Sequence, residues 1–398
     1  MDVEPIAAEI IVAGHICLDI IPALQGSTWP EPGQLVRIGP AAVSTGGAVA
    51  NTGLALHRLG VPVRMMGKLG DDAFGHIVID LLRGYAPSLA AELIVTPEES
   101  TSYSIVLSPS AVDRSFMHCP GANDTFAADD VCCDRLAGAR LFHFGYPPIM
   151  RKMCADEGFQ LRRLFQRVRG MGLATSLDMA QPDAASEARS VDWEALLRRV
   201  LPLVDVFSPS VEELLFMLDR LTYARLKAGE PQARVVDGPL LRRLGKRLVQ
   251  MGTAVAVIKL GDRGLYVRTA AETDRVDDFC RRLSLDSSVW QACEIYSPCF
   301  RAKEVVGTTG AGDCTIAGFL TSLLRGESPI QAATAAAAVG ACSVEAADAT
   351  GGVKAWAVVW RRLRAGWQRL PADISWGQDV TPVQDKSGTL HLQPRKCS

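Results

Sequence analysis

Short apolar runs alternate with segments of helical period along most of this chain, and this alternation limits its fold more than any other feature. Glu9–Ala13 and Val63–Gly67 have the pattern of buried strands, while Ala48–Leu59 and Ala73–Arg83 carry apolar residues at helical spacing. Strands that alternate with helices of this length predict βαβ units. We therefore expect an α/β protein with a central, mostly parallel sheet flanked by helices.

One region interrupts the alternation. Ala91–Val95, Thr101–Leu107 and Arg114–His118 have the pattern of strands with only turns between them. Consecutive strands joined by turns pair with one another. Together with Leu35–Ile38, they predict a small sheet that stands apart from the main one.

Two later segments carry little apolar periodicity. Asp219–Gly238 is polar and basic, which predicts a loop or excursion from the fold. Pro371–Ser398 is poor in aliphatic residues and predicts a tail or surface strap.

Composition excludes several classes of protein. The chain has 398 residues, 48% hydrophobic and 22% charged, which suits one large globular core. Its 42 basic and 44 acidic residues give a net charge of −2, so no basic excess exists to bind nucleic acid or an anionic membrane. No apolar run is long enough to cross a bilayer, and Met1–Glu9 lacks the basic start of a secretory signal. The 11 cysteines are irregularly spaced, which favours free thiols in a cytoplasmic protein over a disulfide or zinc framework.

The strongest chemical signal lies in Val305–Leu320. Gly310, Ala311 and Gly312 form a small-residue loop that opens directly into an apolar helix. Exposed N–H groups and the helix dipole at such a start attract an anion. A carboxylate at Asp313, beside a phosphate, suits a base that takes the proton of an attacking hydroxyl. The alternative interpretation is an ordinary acidic residue in a first helical turn.

A second glycine cluster, Ser44–Gly53, also precedes a helix. Gly46 and Gly47 allow a ligand to approach the backbone, and Asn51 offers a donor and an acceptor to a polyol. Alternatively, this cluster is a helix-capping turn in which Asn51 pairs with backbone. In a third cluster, Gly67–Gly75, we expect Asp71 or Asp72 to cap the helix that follows.

In this order, the three clusters resemble the ribokinase-like (pfkB-type) family of carbohydrate and nucleoside kinases, over roughly residues 10–352. Gly14–Asp19 looks like the family's first-strand motif, and Arg114–Asn123 is similar to its lid strand and Gly-Ala-Asn loop. Ser208–Glu213 resembles its Asn-x-x-Glu motif, and Gly261–Gly264 resembles its turn on the nucleotide side.

The resemblance implies a ribokinase-like fold with a small β-sheet lid. Residues 1–370 would form the kinase domain, with the lid from about 15–45 and 91–120, and residues 371–398 would be a C-terminal extension. Family members often cover the exposed edges and apolar face of the lid with a second subunit, so we expect a homodimer through it.

The resemblance also implies ATP-dependent phosphotransfer to a hydroxyl of a sugar, sugar acid or related polyol. Asp313 would be the catalytic base, with Gly310, Ala311 and Gly312 as an anion hole for the transferred phosphoryl group. Glu213 would help to organise Mg²⁺. The residues implied to contact substrate are Asp19, Gly46, Gly47, Asn51, Arg114 and Asn123. Those implied to contact the nucleotide are Lys259, Gly261, Gly264 and Thr309.

Three positions depart from the family pattern. Ser210 stands where the motif usually has Asn, which weakens the assignment of Glu213 to Mg²⁺. Gly307 stands where many members have an Asp near a monovalent-cation site, so K⁺ dependence is doubtful. Gly145 and Tyr146 follow the strand after which ribokinase carries a ribose-binding Glu, which argues against ribose.

Some assignments keep a structural alternative. Arg114 equally suits a salt-bridged surface residue, and Lys259 equally suits a strand-end lysine in solvent. Of the six histidines, His15 and His118 lie inside the resembling motifs, so we expect these two to reach substrate.

Three other functions are alternatives to that of a sugar kinase. A nucleoside kinase of the same fold needs an apolar slot for the base, which Phe116, Phe142, Phe144 and Tyr146 would line. A non-catalytic sugar- or nucleotide-binding relative would not need Asp313. A nicotinamide dehydrogenase is disfavoured because no acidic residue at the end of a strand follows the glycines at the spacing of the dinucleotide fingerprint.

Overall fold

The computed structural model describes residues 8–24, 32–107, 115–182, 186–371 and 373–394. Its largest element is a ten-stranded sheet. From one edge to the other its strands are β15 (Val380–Gln384), β16 (Leu390–Pro394), β14 (Glu294–Ser297), β13 (Leu265–Thr269), β12 (Val255–Lys259), β11 (Val206–Phe207), β10 (Ala174–Asp178), β9 (Leu141–Gly145), β1 (Ile10–Gly14) and β4 (Val63–Met66). Every pairing from β4 to β12 is parallel, and every pairing from β12 to β15 is antiparallel.

Helices cover both faces of this sheet. The helices of the described residues are α1 (Gly47–Arg58), α2 (Ala73–Tyr85), α3 (Arg151–Gly170, interrupted at Ala155–Gly158), α4 (Trp193–Val200), α5 (Val211–Leu218), α6 (Arg220–Lys227), α7 (Gln232–Val235), α8 (Gly238–Gln250), α9 (Thr273–Leu283), α10 (Ser287–Trp290), α11 (Ala311–Leu324), α12 (Pro329–Ser343) and α13 (Trp356–Arg364).

Strand β1 shows why its sequence is apolar without a break. Ile10 and Val12 lie in the core on one face of the sheet, together with residues of α1, α11 and α12. Ile11 and Ala13 lie in the core on the other face, with residues of α3, α4 and α8. A strand covered on both faces buries every side chain, which confirms the predicted covered sheet of an α/β fold.

A separate four-stranded sheet, here called the lid sheet, lies in the order β3 (Ala42–Gly46), β2 (Cys17–Ile21), β7 (Tyr103–Leu107) and β8 (Ser115–Cys119). The prediction of a small independent sheet is thereby confirmed, but two of its members were wrong. Leu35–Ile38 forms no strand, and Ala42–Gly46 takes that place. The strand within Ala91–Val95 is β6 (Ile94–Thr96), which pairs with β5 (Lys68–Gly70) in a sheet of two strands.

The segment Asp219–Gly238 is not the loop that its polarity predicted. It contains α6 and α7, and the Asp219 carboxylate caps α6 by accepting the N–H of Thr222 at 3.1 Å. Helix α6 buries no residue, so its sequence has no apolar stripe to show a helical period.

The segment after Pro371 is more than a surface strap. Its strands β15 and β16 extend the central sheet, with β16 antiparallel to β14. Trp376 is buried and packs on Tyr266 and Tyr296, with ring centroids 6.0 and 5.1 Å apart. Aliphatic content missed this segment because a single tryptophan supplies much of its apolar contact.

Candidate active site

Helix α11 begins at the glycine loop that the sequence singled out. Gly310 caps it in the left-handed region, at φ 72°, and a side chain there would collide with Ala349, whose Cβ lies 2.6 Å from the position of an added Cβ. Glycine is required where such a backbone also packs closely. The N–H of Ala311 donates to the Thr308 carbonyl at 3.2 Å. The N–H groups that follow it in a first helical turn have no partner inside the helix, so this end is suited to an anion.

Asp313 lies in the first turn of α11 and is only 1% exposed. Its Oδ2 accepts hydrogen bonds from Tyr146 Oη at 2.8 Å and Asn51 Nδ2 at 3.0 Å, and its Oδ1 accepts from Thr52 Oγ1 at 3.4 Å. Burial raises the pKa of Asp313, while the Lys259 ammonium and then these hydrogen bonds oppose that rise. The carboxylate is thus buried, oriented and shifted toward the range in which a carboxyl group exchanges protons.

Asn51 therefore contacts Asp313 rather than backbone, so the alternative of a backbone-paired asparagine is wrong for its Nδ2 group. Its contact with a substrate hydroxyl stays a prediction.

Lys259, at the end of β12, is buried beside Asp178, at the end of β10. The Nζ atom lies 2.7 Å from Asp178 Oδ1, and a Cβ built on Gly312 would lie 3.5 Å from the same Nζ. Burial lowers the pKa of Lys259, but the carboxylates of Asp178, Glu213 and Asp313 together outweigh it, and the pKa lies above its usual value. The interpretation of Lys259 as a lysine in solvent is wrong, because this cation is fixed next to the start of α11.

Glu213 and Ser210 form a capping box at the start of α5. Glu213 Oε2 accepts the N–H of Ser210 at 2.7 Å, and Ser210 Oγ accepts the N–H of Glu213 at 3.2 Å. Ser210 thus takes a capping role at the position where the resembling motif has Asn. Oε1 of Glu213 is not used by the cap, so a role in binding Mg²⁺ stays compatible with it.

A cavity of about 580 Å³ joins these groups. Its polar part is lined by Tyr146, Asp178, Glu213, Lys259 and Gly312. Its apolar part is lined by Leu265, Phe300, Ala337, Ala341, Val344 and Leu370. A cavity with convergent charged groups in one part and an apolar wall in another suits a phosphorylated ligand with an apolar ring.

The predicted nucleotide-side turn borders the same cavity. Gly261 and Gly264 line it, both with positive φ, at 64° and 92°. A side chain at Gly264 would meet the carbonyl oxygen of Ser297 at 2.1 Å. Thr308, the residue before the predicted Thr309, also lines the cavity. Contact between Thr309 and the nucleotide stays a prediction.

The wall at Phe300 is held by residues that follow α13. Trp367 stacks on Phe300 with ring centroids 4.8 Å apart, and the Arg369 guanidinium carbon lies 4.0 Å from the centroid of the same ring. Arg369 also donates to the Ser387 carbonyl at 2.6 Å and to Thr389 Oγ1 at 2.8 Å, in the turn between β15 and β16. This turn therefore supports the apolar part of the cavity.

The predicted substrate residues gather where the lid sheet meets α1. The Asp19 carboxylate lies over Gly46, where an added Cβ would be 2.3 Å from Asp19 Oδ2. Gly47 has φ 85° and lies against His15, whose carbonyl oxygen would be 2.6 Å from a Cβ at 47. Any larger residue at 46 or 47 would collide with Asp19 or His15.

Two other predicted substrate residues have different outcomes. Asn123 is buried, and its amide bonds both backbone groups of Ile16, accepting the N–H at 3.2 Å and donating to the carbonyl at 2.9 Å. These bonds fix the loop before the lid sheet, and contact with substrate stays a prediction. Arg114 lies outside the described residues.

His15 and His118 face each other across the lid, with Nε2 atoms 3.3 Å apart, and His118 Nδ1 lies 3.0 Å from Ser104 Oγ. Burial lowers the pKa of His15 well below its usual value, and His118 adds to that effect. The ring of His15 also lies 6.1 Å from that of Tyr146. One neutral imidazole therefore donates to the other beside Tyr146, while contact with substrate stays a prediction.

The aromatic slot required by a nucleoside kinase is not built from the four predicted residues. Phe142 and Phe144 are buried in the core beside α3, where both pack on Phe165. Phe116 lies on the lid sheet and is 56% exposed, and of the four only Tyr146 lines the cavity.

Sequence reasoning missed the roles of Tyr146 and Asp178. Asp178 is the last residue of β10, and Tyr146 directly follows β9, so both lie at the carboxyl edge of parallel strands. Ligands of open α/β sheets bind at this edge. That rule, applied to every strand end, would have singled them out.

Asp72, in the third cluster, caps α2 as expected, because its Oδ1 accepts the N–H of Gly75 at 2.8 Å. Across the described ranges, no three side chains of His, Cys, Asp or Glu gather closely enough to bind a metal ion by themselves. Within the same ranges, no helix combines the length and apolar character needed to cross a bilayer.

Comparison with known proteins defines the class of this site. The model of the pfkB family of carbohydrate kinases matches residues 7–356. The chain therefore belongs to the pfkB family, and it is a carbohydrate kinase. Among curated relatives, probable fructokinase-4 of Arabidopsis thaliana is 23% identical over 331 residues, which cover 79% of this chain and 82% of the relative. Potato (Solanum tuberosum) fructokinase is 29% identical over 183 residues, which cover 46% of this chain and 55% of the relative.

Solved structures share the fold. Arabidopsis thaliana ribokinase, complexed with ribose and ATP, has a TM-score of 0.68 at 19% identity and covers 89% of this chain and 98% of its own. Xylella fastidiosa fructokinase with bound ATP has a TM-score of 0.65 at 20% identity and covers 90% of this chain and 98% of its own. These likenesses confirm the ribokinase-like fold that the motifs indicated.

Proposed function

We propose that this protein transfers the γ-phosphoryl group of ATP to a hydroxyl of a sugar, sugar acid or related polyol, with Asp313 as the catalytic base. The observation that carries this proposal is the placement of Asp313. A buried, oriented carboxylate lies within the anion-binding start of α11, with Lys259 beside it. A carboxylate repels a bound anion, so a site that only binds anions would not place one there.

In the proposed reaction, the substrate O–H bond breaks as its proton passes to the Asp313 carboxylate. The oxygen forms a bond to the γ-phosphorus, and the bond between that phosphorus and ADP breaks. N–H groups of Gly310, Ala311 and Gly312 would stabilise the charge on the phosphoryl oxygens. The fixed ammonium of Lys259 would add a cation near the same group.

Two observations support the assignment of the cavity to ATP. Its polar part adjoins the start of α11, and its apolar part has the aliphatic and aromatic lining that suits a flat base. The structures of fold relatives with bound ATP, including the fructokinase of Xylella fastidiosa, agree with that assignment.

The residues present also fit Mg²⁺. Asp178 and Glu213 place two carboxyl groups in the lining of the polar part, beside the ammonium of Lys259. Mg²⁺ is commonly held by one or two carboxylates together with substrate phosphates, so a site of three or more protein ligands is not required. When bound, Mg²⁺ would neutralise charge on the phosphates, and Glu213 would hold it or its waters through Oε1.

The nature of the sugar is tested by measuring ADP release over a panel of acceptors. Fructose comes first, because relatives that match most of the chain are named as probable fructokinases. Ribose is expected to be a poor acceptor, because Tyr146 stands where ribokinase has a glutamate. Release of ADP with nucleosides alone would favour a nucleoside kinase.

Replacing the base tests the mechanism. Asp313→Asn keeps the shape of the side chain and removes the proton acceptor, so turnover should fall about 10²–10⁴-fold. ATP affinity, measured by calorimetry, should be kept or improve slightly because a negative charge leaves the anion site. Turnover near the wild-type rate would reject Asp313 as the base.

The quaternary state is part of the proposal. The lid sheet exposes apolar side chains, Val43 at 44%, Phe116 at 56% and Met117 at 55%. A second copy of the chain, bound through its own lid sheet, would cover them in a symmetric dimer. We also propose a cytoplasmic enzyme, since Cys17, Cys280 and Cys314 are buried free thiols suited to a reducing compartment.

A further inference from the structure

Tyr146 holds an unusual backbone conformation beside the reaction centre. It follows β9 with φ 68° and ψ 38°, which is the left-handed region. A bulky residue rarely adopts that region, and such strain persists where the surrounding structure enforces it, often at functional sites. Its N–H bonds the Asp178 carbonyl at 3.3 Å, which ties the strained residue to the end of β10.

The conformation carries the phenol to the catalytic carboxyl group. Tyr146 Oη lies 2.8 Å from Asp313 Oδ2, and Tyr146 lines the cavity in front of it. Burial, and then the nearby Asp313 carboxylate, raise the pKa of Tyr146 well above its usual value. The phenol is therefore protonated and must be the donor in this hydrogen bond.

The two oxygens of Asp313 are used unequally. Oδ2 accepts two close hydrogen bonds, from Tyr146 and Asn51, whereas Oδ1 has one long contact with Thr52. An oxygen that already accepts two strong donors has little capacity for a third. Oδ1 is then the atom with room to accept the proton of a substrate hydroxyl.

We infer that Tyr146 is a positioning residue that anchors Oδ2 of Asp313, stabilises its ionised form and leaves Oδ1 as the proton acceptor. The inference rests on the proposed role of Asp313 as base. At the position where ribokinase carries a glutamate, a phenol supplies a donor in place of a second negative charge. This chain therefore keeps its base ionised with a neutral group.

Other ionisable groups surround the pair and are common to every variant below. Lys259 and Asp178 act on Asp313 through their charges, and Cys314 follows it in α11. Glu213 and His15 lie on the side of Tyr146. Because none of them is changed, a shift that appears only when the phenol is altered reports the hydrogen bond itself.

The test compares the pH dependence of kcat/KM for wild type, Tyr146→Phe and Thr52→Val. Tyr146→Phe keeps the ring and removes the donor, so the pKa of Asp313 rises and the acid limb moves to higher pH. On that limb we expect a loss of roughly tenfold, in keeping with one charge-assisted hydrogen bond, and convergence with wild type at alkaline pH. Thr52→Val removes the longer 3.4 Å contact with Oδ1 and is the graded comparison: it should move the limb in the same direction as Tyr146→Phe but by a clearly smaller amount.

A second variant strengthens the hydrogen bond between residue 146 and Asp313. A fluorinated tyrosine placed at 146 has a more acidic phenol and is a better donor, so it should move the acid limb to lower pH. A residue that only fills space would not produce shifts in opposite directions. Unfolding midpoints show whether each variant is folded.

The outcomes separate the inference from the function on which it rests. If Asp313→Asn is inactive but Tyr146→Phe keeps the wild-type acid limb, the role of Tyr146 is wrong and the base assignment stands. If Asp313→Asn is fully active, the base assignment fails and takes the role of Tyr146 with it.

Discussion

The polar part of the cavity and the lid sheet are opposite kinds of surface within one site. Around Asp313, the donors are Asn51 and Thr52 of α1, which are buried, and Tyr146 directly after β9, which is half-buried. On the lid sheet, Phe116 and Met117 are more than half exposed. The comparison teaches that the groups we propose for phosphoryl transfer are held together within one chain, while the lid sheet leaves apolar side chains exposed.

The largest expected effect comes from breaking the buried ion pair between Lys259 and Asp178 in the polar part of the cavity. Lys259→Met leaves Asp178 buried without its cation, which typically costs about 3–5 kcal/mol of the free energy of unfolding. Phosphotransfer should be lost as well, because the cation beside α11 is gone. Urea unfolding of folded protein measures the first effect and ADP release the second.

A paired variant sharpens this prediction. Lys259→Met combined with Asp178→Leu removes both charges, so most of the lost stability should return while activity stays absent. As a surface control, Arg225→Ala breaks an exposed pair with Glu230 and should leave the unfolding curve unchanged. Equal destabilisation in the single and paired variants would contradict the view that the unpaired charge is the cause.

The next effect falls on the substrate side. Asp19→Ala should weaken sugar binding by about 1.5–3 kcal/mol, the usual cost of losing a hydrogen bond to a charged group. ATP binding should stay unchanged, since Asp19 lies over Gly46 rather than at α11. Calorimetry with each ligand separately distinguishes this result from a folding defect, which would reduce both affinities together.

A smaller effect is expected on the exposed apolar surface of the lid sheet. Phe116→Lys places a charge in the lid surface and should weaken dimerisation by roughly tenfold, the scale of one interface residue. Phe159→Lys is a matched control, because Phe159 is 55% exposed on α3, away from the lid sheet. Sedimentation at several concentrations gives the result, and a monomeric wild type at micromolar concentration would reject the dimer.

The smallest expected effect is the response to K⁺. Gly307 offers only a backbone carbonyl where many family members supply a carboxylate, so this enzyme should depend on K⁺ less than they do. Rates at saturating Mg-ATP would be compared in potassium, sodium and tetramethylammonium salts of equal ionic strength. A large, saturable activation by K⁺ would imply a replacement ligand from elsewhere in the chain.

The sequence predicts those features that depend on local pattern. Continuous apolar strands indicated a sheet covered on both faces, and small residues before an apolar stretch located the start of α11. The cap of α2 was predicted at Asp71 or Asp72, and Asp72 takes it, because an aspartate before a helix accepts a nearby N–H.

Features fixed by distant partners were not predictable in this way. Tyr146 reaches Asp313 across 167 positions of sequence, and its left-handed backbone is tied through its N–H to the Asp178 carbonyl at the end of β10. Ala42–Gly46 combines Val43 and Thr45, which favour strands, with Ala42 and Gly46, which do not, and pairing with β2 decides its conformation. In both cases, tertiary contacts outweigh local preference.

The hairpin of β15 and β16 has a consequence for the order in which the enzyme matures. A ribosome completes every other strand of the central sheet before it makes residues 380–394, and the turn within them holds Arg369 against Phe300. During synthesis, the groups around Asp313 can assemble first, while the apolar wall of the cavity lacks its support. A nascent chain would thus assemble the groups around Asp313 before the cavity wall that we assign to the nucleotide gains its support.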